Sequence, residues 1–237
     1  MDKILKQATN IITKSTGKDL ITLILMGSYG TKDMVKTSDI DLNAIMKDSF
    51  DFRKERQIKN MLKEQIEKKY KIETNFECMN IGAFYGKKKK GSLTKYISLP
   101  ILITFFNESR FLYGKKINFN KFSVKRASLE KQLKYHIKSI NDNVDKFKGK
   151  DMIGTSWYFK DFIKGVFLLA DVENQILNKK EHKKRYIDIY NEFKKDRTHI
   201  IHYTMTLRRK KRITNREKLK WIKMAKQYIK NLKMVIK

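Results

Sequence analysis

The chain has 237 residues, 41% of them hydrophobic and 34% charged, enough for a packed core and incompatible with a disordered chain. Against 25 Asp and Glu stand 55 Lys and Arg, a formal net charge of +30 that exceeds what solubility needs. RNA, DNA or nucleotides are therefore the expected partners; the alternative is a lysine coat over an ordinary surface, since Lys is spread along the whole chain.

Apolar spacing at Ile4, Leu5, Ala8, Ile11 and Ile12 predicts a helix over 2–16, without the continuous apolar core of a signal peptide. "LITLILM" (20–26) has the length of a buried strand. "SDIDLNAIM" (38–46) alternates: Asp39, Asp41 and Asn43 share one face, Ile40, Leu42 and Ala44 the other. Ile58, Met61, Leu62, Ile66 and Tyr70 then recur at helical spacing. "KIETNFECMNIG" (71–82) alternates again, with Glu73, Asn75 and Glu77 on one face and Ile72, Thr74, Phe76 and Cys78 on the other. Cys78 is the sole cysteine, so no intrachain disulfide can form and the cytoplasm is the expected compartment. The first part thus reads as strand, strand, helix, strand on a small mixed sheet.

"YGKKKKGS" (85–92) reads as a solvated loop, with a nucleic-acid contact as the alternative. "ISLPILITFF" (97–106) is too short to span a bilayer and holds the only proline, Pro100, so no membrane partner is expected. From Ser128 onward the signals are helical: 128–147, then an apolar helix over 156–177, then 181–195 and 215–236. In the last of these, Leu219, Ile222, Ala225, Ile229, Leu232 and Ile236 are expected to face inward. The expected class is α+β, with a mixed-sheet domain over 1–122 followed by an all-helical bundle over 123–237.

Asp39 and Asp41, two apart on a strand, must project from the same face. Two carboxylates that close repel by about 4 kcal/mol at an effective dielectric near 20, and a divalent cation is the natural offset. Mg²⁺ prefers one or two carboxylates plus phosphate oxygens and water. A pair of such ions, about 3.5–4 Å apart, can clamp the attacking and leaving oxygens of an in-line phosphoryl displacement. A third carboxylate on a neighbouring strand would complete the set, and both Glu73 and Glu77 have the required parity. Upstream, Gly27 allows close backbone approach, and Ser28 can hydrogen-bond phosphate oxygens.

Gly27-Ser28, nine intervening residues, then Ser38-Asp39-Ile40-Asp41-Leu42 resembles the signature of the DNA polymerase β-like nucleotidyltransferase superfamily, over about residues 20–80. The resemblance implies that Asp39 and Asp41 bind the metals, Mg²⁺ with Mn²⁺ as an alternative ion. It also implies that Gly27, Ser28 and Ser38 belong to the site of a nucleoside triphosphate co-substrate, ATP being the expected one. "KIETNF" is similar to the Leu-Glu-Val-Thr-type strand of the aminoglycoside adenylyltransferases. That assigns the third carboxylate, and activation of the acceptor hydroxyl, to Glu73, with Glu77 as the runner-up. The domain order and "FLYGKKI" (111–117), like the segment joining their two parts, also resemble those enzymes. Many relatives carry a small residue and then a basic one after Gly-Ser; here Tyr29-Gly30-Thr31-Lys32 stands, and Lys32 is the candidate substitute. Lys160 and Lys164, one turn apart, match lysines that reach the triphosphate from the equivalent helix; surface lysines are the bland reading.

"DRTHIIHY" (196–203) resembles the Arg-x4-His motif of HEPN-type ribonucleases through Arg197 and His202, although Thr198 stands where that motif usually has a polar amide. "LRRKKR" (207–212) is the densest basic cluster and, with the net charge, makes RNA such as a tRNA end the leading acceptor. An aminoglycoside-type antibiotic is the alternative acceptor. Alternatives of another class are a non-catalytic RNA- or nucleotide-binding, antitoxin-like partner and a ribonuclease.

Overall fold

The computed structural model describes residues 2–34, 38–122, 124–125, 127–146, 156–183 and 185–235. Two compact units divide the chain, Met1–Ala127 and Ser128–Lys237.

In the first unit, α1 (Asp2–Thr16) leads into β1 (Leu20–Met26), the short helix α2 (Gly27–Thr31) and β2 (Ile40–Met46). Helix α3 (Lys54–Leu62) runs through a π-helical turn over Lys63–Glu67 into α4 (Lys68–Tyr70), and β3 (Thr74–Asn80) follows. Next come α5 (Leu93–Tyr96), α6 (Leu99–Glu108) and β4 (Arg110–Gly114). The sheet has the order β3-β2-β1-β4; β1 is antiparallel to β2 and β4, while β2 and β3 are parallel. A parallel pair needs a long crossover, and the α3–α4 helix supplies it.

Period-two alternation gives this sheet two different faces. On one, Leu23, Leu25, Leu42, Ala44, Phe76 and Cys78 pack on Ala8 and Ile12 of α1 and Ile58 and Leu62 of α3. On the other, Ile24, Ile45 and Met79 meet Leu102 and Phe106 of α6 together with Phe84, Phe119 and Phe122. That second face is apolar over only part of its length. At the N-terminal ends of β2 and β3 the same face carries Asp39, Asp41 and Asn75.

Three features go beyond the sequence reading. The 97–106 run is a core helix, α6, with Pro100 in its first turn, where a missing N–H costs nothing. The strand β4 was hidden because Phe111 and Tyr113 are 39% and 49% exposed, so no buried face marks its alternation. The lysine run is the exposed loop expected of it, but it is also strapped to the end of β3 and to Asp48. Asn80 Nδ2 donates to the Lys88 carbonyl (3.1 Å), the Lys90 N–H donates to Asn80 Oδ1 (2.8 Å), and Lys87 Nζ lies 3.0 Å from Asp48 Oδ2.

The second unit is helical: α7 (Leu129–Lys146), α8 (Ser156–Leu177), α9 (Tyr186–Glu192), α10 (Ile200–Arg209) and α11 (Asn215–Val235). As its all-round apolarity predicts, α8 is central. Phe159, Ile163 and Val166 pack with Leu133, Ile137 and Ile140 of α7 and with Ala225 and Ile229 of α11. Phe167 and Ala170 pack with Ile189 of α9 and Ile201 of α10. The phase of α11 corrects one expectation: Leu219 is 46% exposed and Trp221 is fully buried instead. Trp221 is the larger side chain, and its Nε1–H finds a buried acceptor in Thr204 Oγ1 at 2.9 Å. Two residues are about 200° on a helix, so burying Trp221 turns Leu219 outward. Ile236 lies outside the described residues.

Candidate active site

The site starts where β1 ends. Gly27 has φ +62°, and a Cβ there would stand 2.2 Å from Asp41 Oδ2, so only glycine leaves room for that carboxylate. The chain then turns sharply into α2: a Cβ on Gly30 would come within 2.5 Å of the Leu25 carbonyl oxygen. Lys32 closes the helix with φ 64°. Tyr29 is buried among the residues that pack on α1 and α3, and burial, then the Asp39 charge, push its phenol up. Ser28 is 1% exposed, and its Oγ has no hydrogen-bond partner. A buried hydroxyl left so costs about 1–3 kcal/mol, a debt that a bound oxygen ligand would cancel.

The strand register brings the other groups in line. Met26, Asp41 and Asn75 lie opposite one another across β1, β2 and β3. Ser38 and Asp39 are buried, Asp41 is half-buried and Asn75 is exposed. Asn75 Nδ2 donates to Asp39 Oδ2 at 2.8 Å and to Asp41 Oδ1 at 3.2 Å. An amide NH₂ has two hydrogens, one for each carboxylate. The two carboxylates therefore converge on a single nitrogen-sized point, as the parity of Asp-x-Asp requires.

The two candidate third carboxylates flank Asn75 on the same strand face, Glu73 one residue before Thr74, the partner of Ile40, and Glu77 two residues after Asn75. Glu73 lies just before β3, exposed, its carbonyl accepting the Ile40 N–H at 2.9 Å. Glu77 is opposite Asn43, two residues further along the face. Burial pushes its carboxyl up, with Lys59 opposing and Glu55 adding to the shift, so its electrostatic surroundings are those of α3. Among the described residues, no three His, Cys, Asp or Glu side chains gather to hold a metal ion. Asn75 is the residue that sequence reasoning missed. Its parity was visible, but its place opposite Asp41 depends on the pairing register.

Other candidates have structural duties. His202 Nε2 lies 3.0 Å from the Phe193 carbonyl and 2.8 Å from that of Asp196, and Arg197 is exposed in the turn before α10. His199 caps α10: Nδ1 accepts the Ile201 N–H at 3.2 Å, which leaves Nε2–H for Glu173 Oε2, also at 3.2 Å. Of "LRRKKR", Arg208 is buried with its guanidinium 4.8 Å from the Tyr186 ring, and Lys210 is paired with Glu217. Arg209, Lys211 and Arg212 remain exposed. Lys164 is half-buried on α8 in the second unit, and the side chain of Lys160 lies outside the described residues.

Residues 6–84, which include Gly27, Ser28, Asp39, Asp41 and Asn75, match the family model described as polymerase beta nucleotidyltransferase. No curated protein matches the chain in sequence. Among solved structures, it is similar to spectinomycin adenyltransferase from Enterococcus faecialis, crystallised with ATP and spectinomycin. The TM-score is 0.60 at 14% identity, over 97% of this chain and 99% of that one. At that identity the likeness is one of fold.

Proposed function

We propose, for a chain whose residues 6–84 match the polymerase beta nucleotidyltransferase model, the transfer of a nucleoside monophosphate from a nucleoside triphosphate, ATP foremost, to an acceptor hydroxyl. One observation carries this reading. Asp39 and Asp41 converge on one point, and the residue after Gly27, on which Asp41 is seated, presents a buried hydroxyl without a partner.

The residues fit a divalent cation. Both carboxylates are hard oxygen ligands on one face, phosphate oxygens are the remaining ligands such an ion prefers, and the unsatisfied Ser28 hydroxyl follows directly on Gly27, against which Asp41 is seated. When bound to Asp39 and Asp41, Mg²⁺ or Mn²⁺ would neutralise phosphate charge and polarise the α-phosphorus. Ser28 Oγ–H donates to a phosphate oxygen and gains the partner it lacks. Glu73, exposed and so reachable by an acceptor, takes the hydroxyl proton. The acceptor oxygen bonds to the α-phosphorus while the bond to the bridging oxygen breaks, and pyrophosphate leaves with that electron pair.

The acceptor we favour is a small hydroxyl compound of the antibiotic type. The support is a neighbour similar over 97% of this chain whose own partners are ATP and spectinomycin. RNA is the second reading, favoured by the net charge of +30, although Arg208 is buried against Tyr186 and the exposed Lys210 is paired with Glu217. Incubation with α-labelled ATP, Mg²⁺, an aminoglycoside and aminocyclitol panel, and total RNA separates the two by which fraction takes label. Asp39→Asn and Asp41→Asn should each cost about 10²–10³-fold or more in transfer. Transfer that survives both substitutions would end this reading.

A further inference from the structure

We propose that Asn75 is the positioning residue of the cation site: its side-chain amide holds the Asp39 and Asp41 carboxylates at the spacing a divalent ion needs before the ion arrives. The proposal rests on the nucleotidyltransferase reading above and deepens it. Asn75 stands opposite Asp41 across the parallel β2–β3 pair, on the same face. Its nitrogen reaches Asp39 Oδ2 at 2.8 Å and Asp41 Oδ1 at 3.2 Å. On its other side Asp41 is seated against Gly27, which has no Cβ to push it away. Asp41 is thus held between a backbone wall and an amide, and Asp39 is tied to the same nitrogen.

The choice of an amide has a chemical consequence. Two N–H donors offset the repulsion of two carboxylates without adding charge. An acidic side chain at this position would add a third negative charge and bind a bare cation more tightly. Asn75 adds no charge to Asp39 and Asp41, and the ion's remaining ligands come largely from phosphate oxygens and water. The site then stays assembled without metal, and tight cation binding is tied to the arrival of the nucleotide. Asn75 is exposed on an edge strand, so its amide can move aside without repacking the core.

The test uses the whole chain and Mn²⁺ without nucleotide. Binding is read from the loss of the free-ion electron paramagnetic resonance signal, and stability from melting with and without Mn²⁺. Asn75→Ala should lower the metal-free melting temperature by about 2–4 °C, and Mn²⁺ should restore most of it. Asn75→Asp should bind Mn²⁺ about tenfold tighter or more in the absence of nucleotide. In an Asp41→Asn background, with one carboxylate gone, the cost of Asn75→Ala should vanish, a coupling that a purely structural role would not show. A metal-free Asn75→Ala protein that melts like wild type, or a cost that persists beside Asp41→Asn, overturns the proposal. If instead wild type and Asp41→Asn bind Mn²⁺ equally, the cation-site reading beneath it fails, and the two failures are told apart.

Discussion

Gly27→Ala is the sharpest perturbation of this site, because it combines two effects of separate origin. Gly27 has φ +62°, a conformation that costs an L-residue about 1–2 kcal/mol. In addition, the new Cβ would stand 2.2 Å from Asp41 Oδ2, so the carboxylate must retreat by about 1 Å to reach ordinary contact. Gly17 offers the control. Its φ is +53° but a Cβ there meets nothing within 4 Å, so Gly17→Ala carries the backbone strain alone. Both variants should lose stability, Gly27→Ala at least as much as Gly17→Ala, at about 2–4 °C of melting temperature per kcal/mol in a chain of this size. Only Gly27→Ala should also lose activity, by about a hundredfold, the usual result of moving a catalytic group by about 1 Å. Melting curves and pyrophosphate release on the two proteins are sufficient assays. Equal activity in the two variants would show that the fit of Asp41 against Gly27 does not matter to the chemistry.

Two further substitutions test other parts of the structure. Ser28→Ala removes a buried hydroxyl that has no partner in the protein, so stability should be unchanged or slightly higher, while KM for the triphosphate rises; a loss of stability would mean that the hydroxyl is already satisfied. In the helical unit, burial holds the His136 imidazole down at about 4 against its ordinary 6.5, with Asp171 opposing the shift. The unfolded chain therefore takes up a proton that the fold refuses, and stability present above 6.5 is lost as pH falls toward 4, by about 3 kcal/mol at full extent. Denaturant titrations across that range should steepen with acid in the wild type and flatten in His136→Asn; equal slopes would refute the assignment.

Backbone periodicity and local turn chemistry were legible along the chain. The helix over 2–16, the strand at 20–26 and the central helix 156–177 appear where apolar spacing puts them, because periods of 3.6 and 2 are properties of the backbone itself. The shared face of Asp39 and Asp41 follows for the same reason. Parity could not choose between Glu73, Asn75 and Glu77, since all three satisfy a period of two.

Composition, the order of the first three strands and the shared face of the two aspartates were thus determined by the sequence alone. Which side chain of β3 meets them was decided only by the tertiary structure, in the register that pairs Leu42 with Phe76 and therefore Asp41 with Asn75. The same holds for Leu219 and Trp221, where packing decided the phase of α11. Local pattern states which faces exist; alignment between elements distant in sequence depends on how their side chains fill a common core, and that is a property of the whole fold.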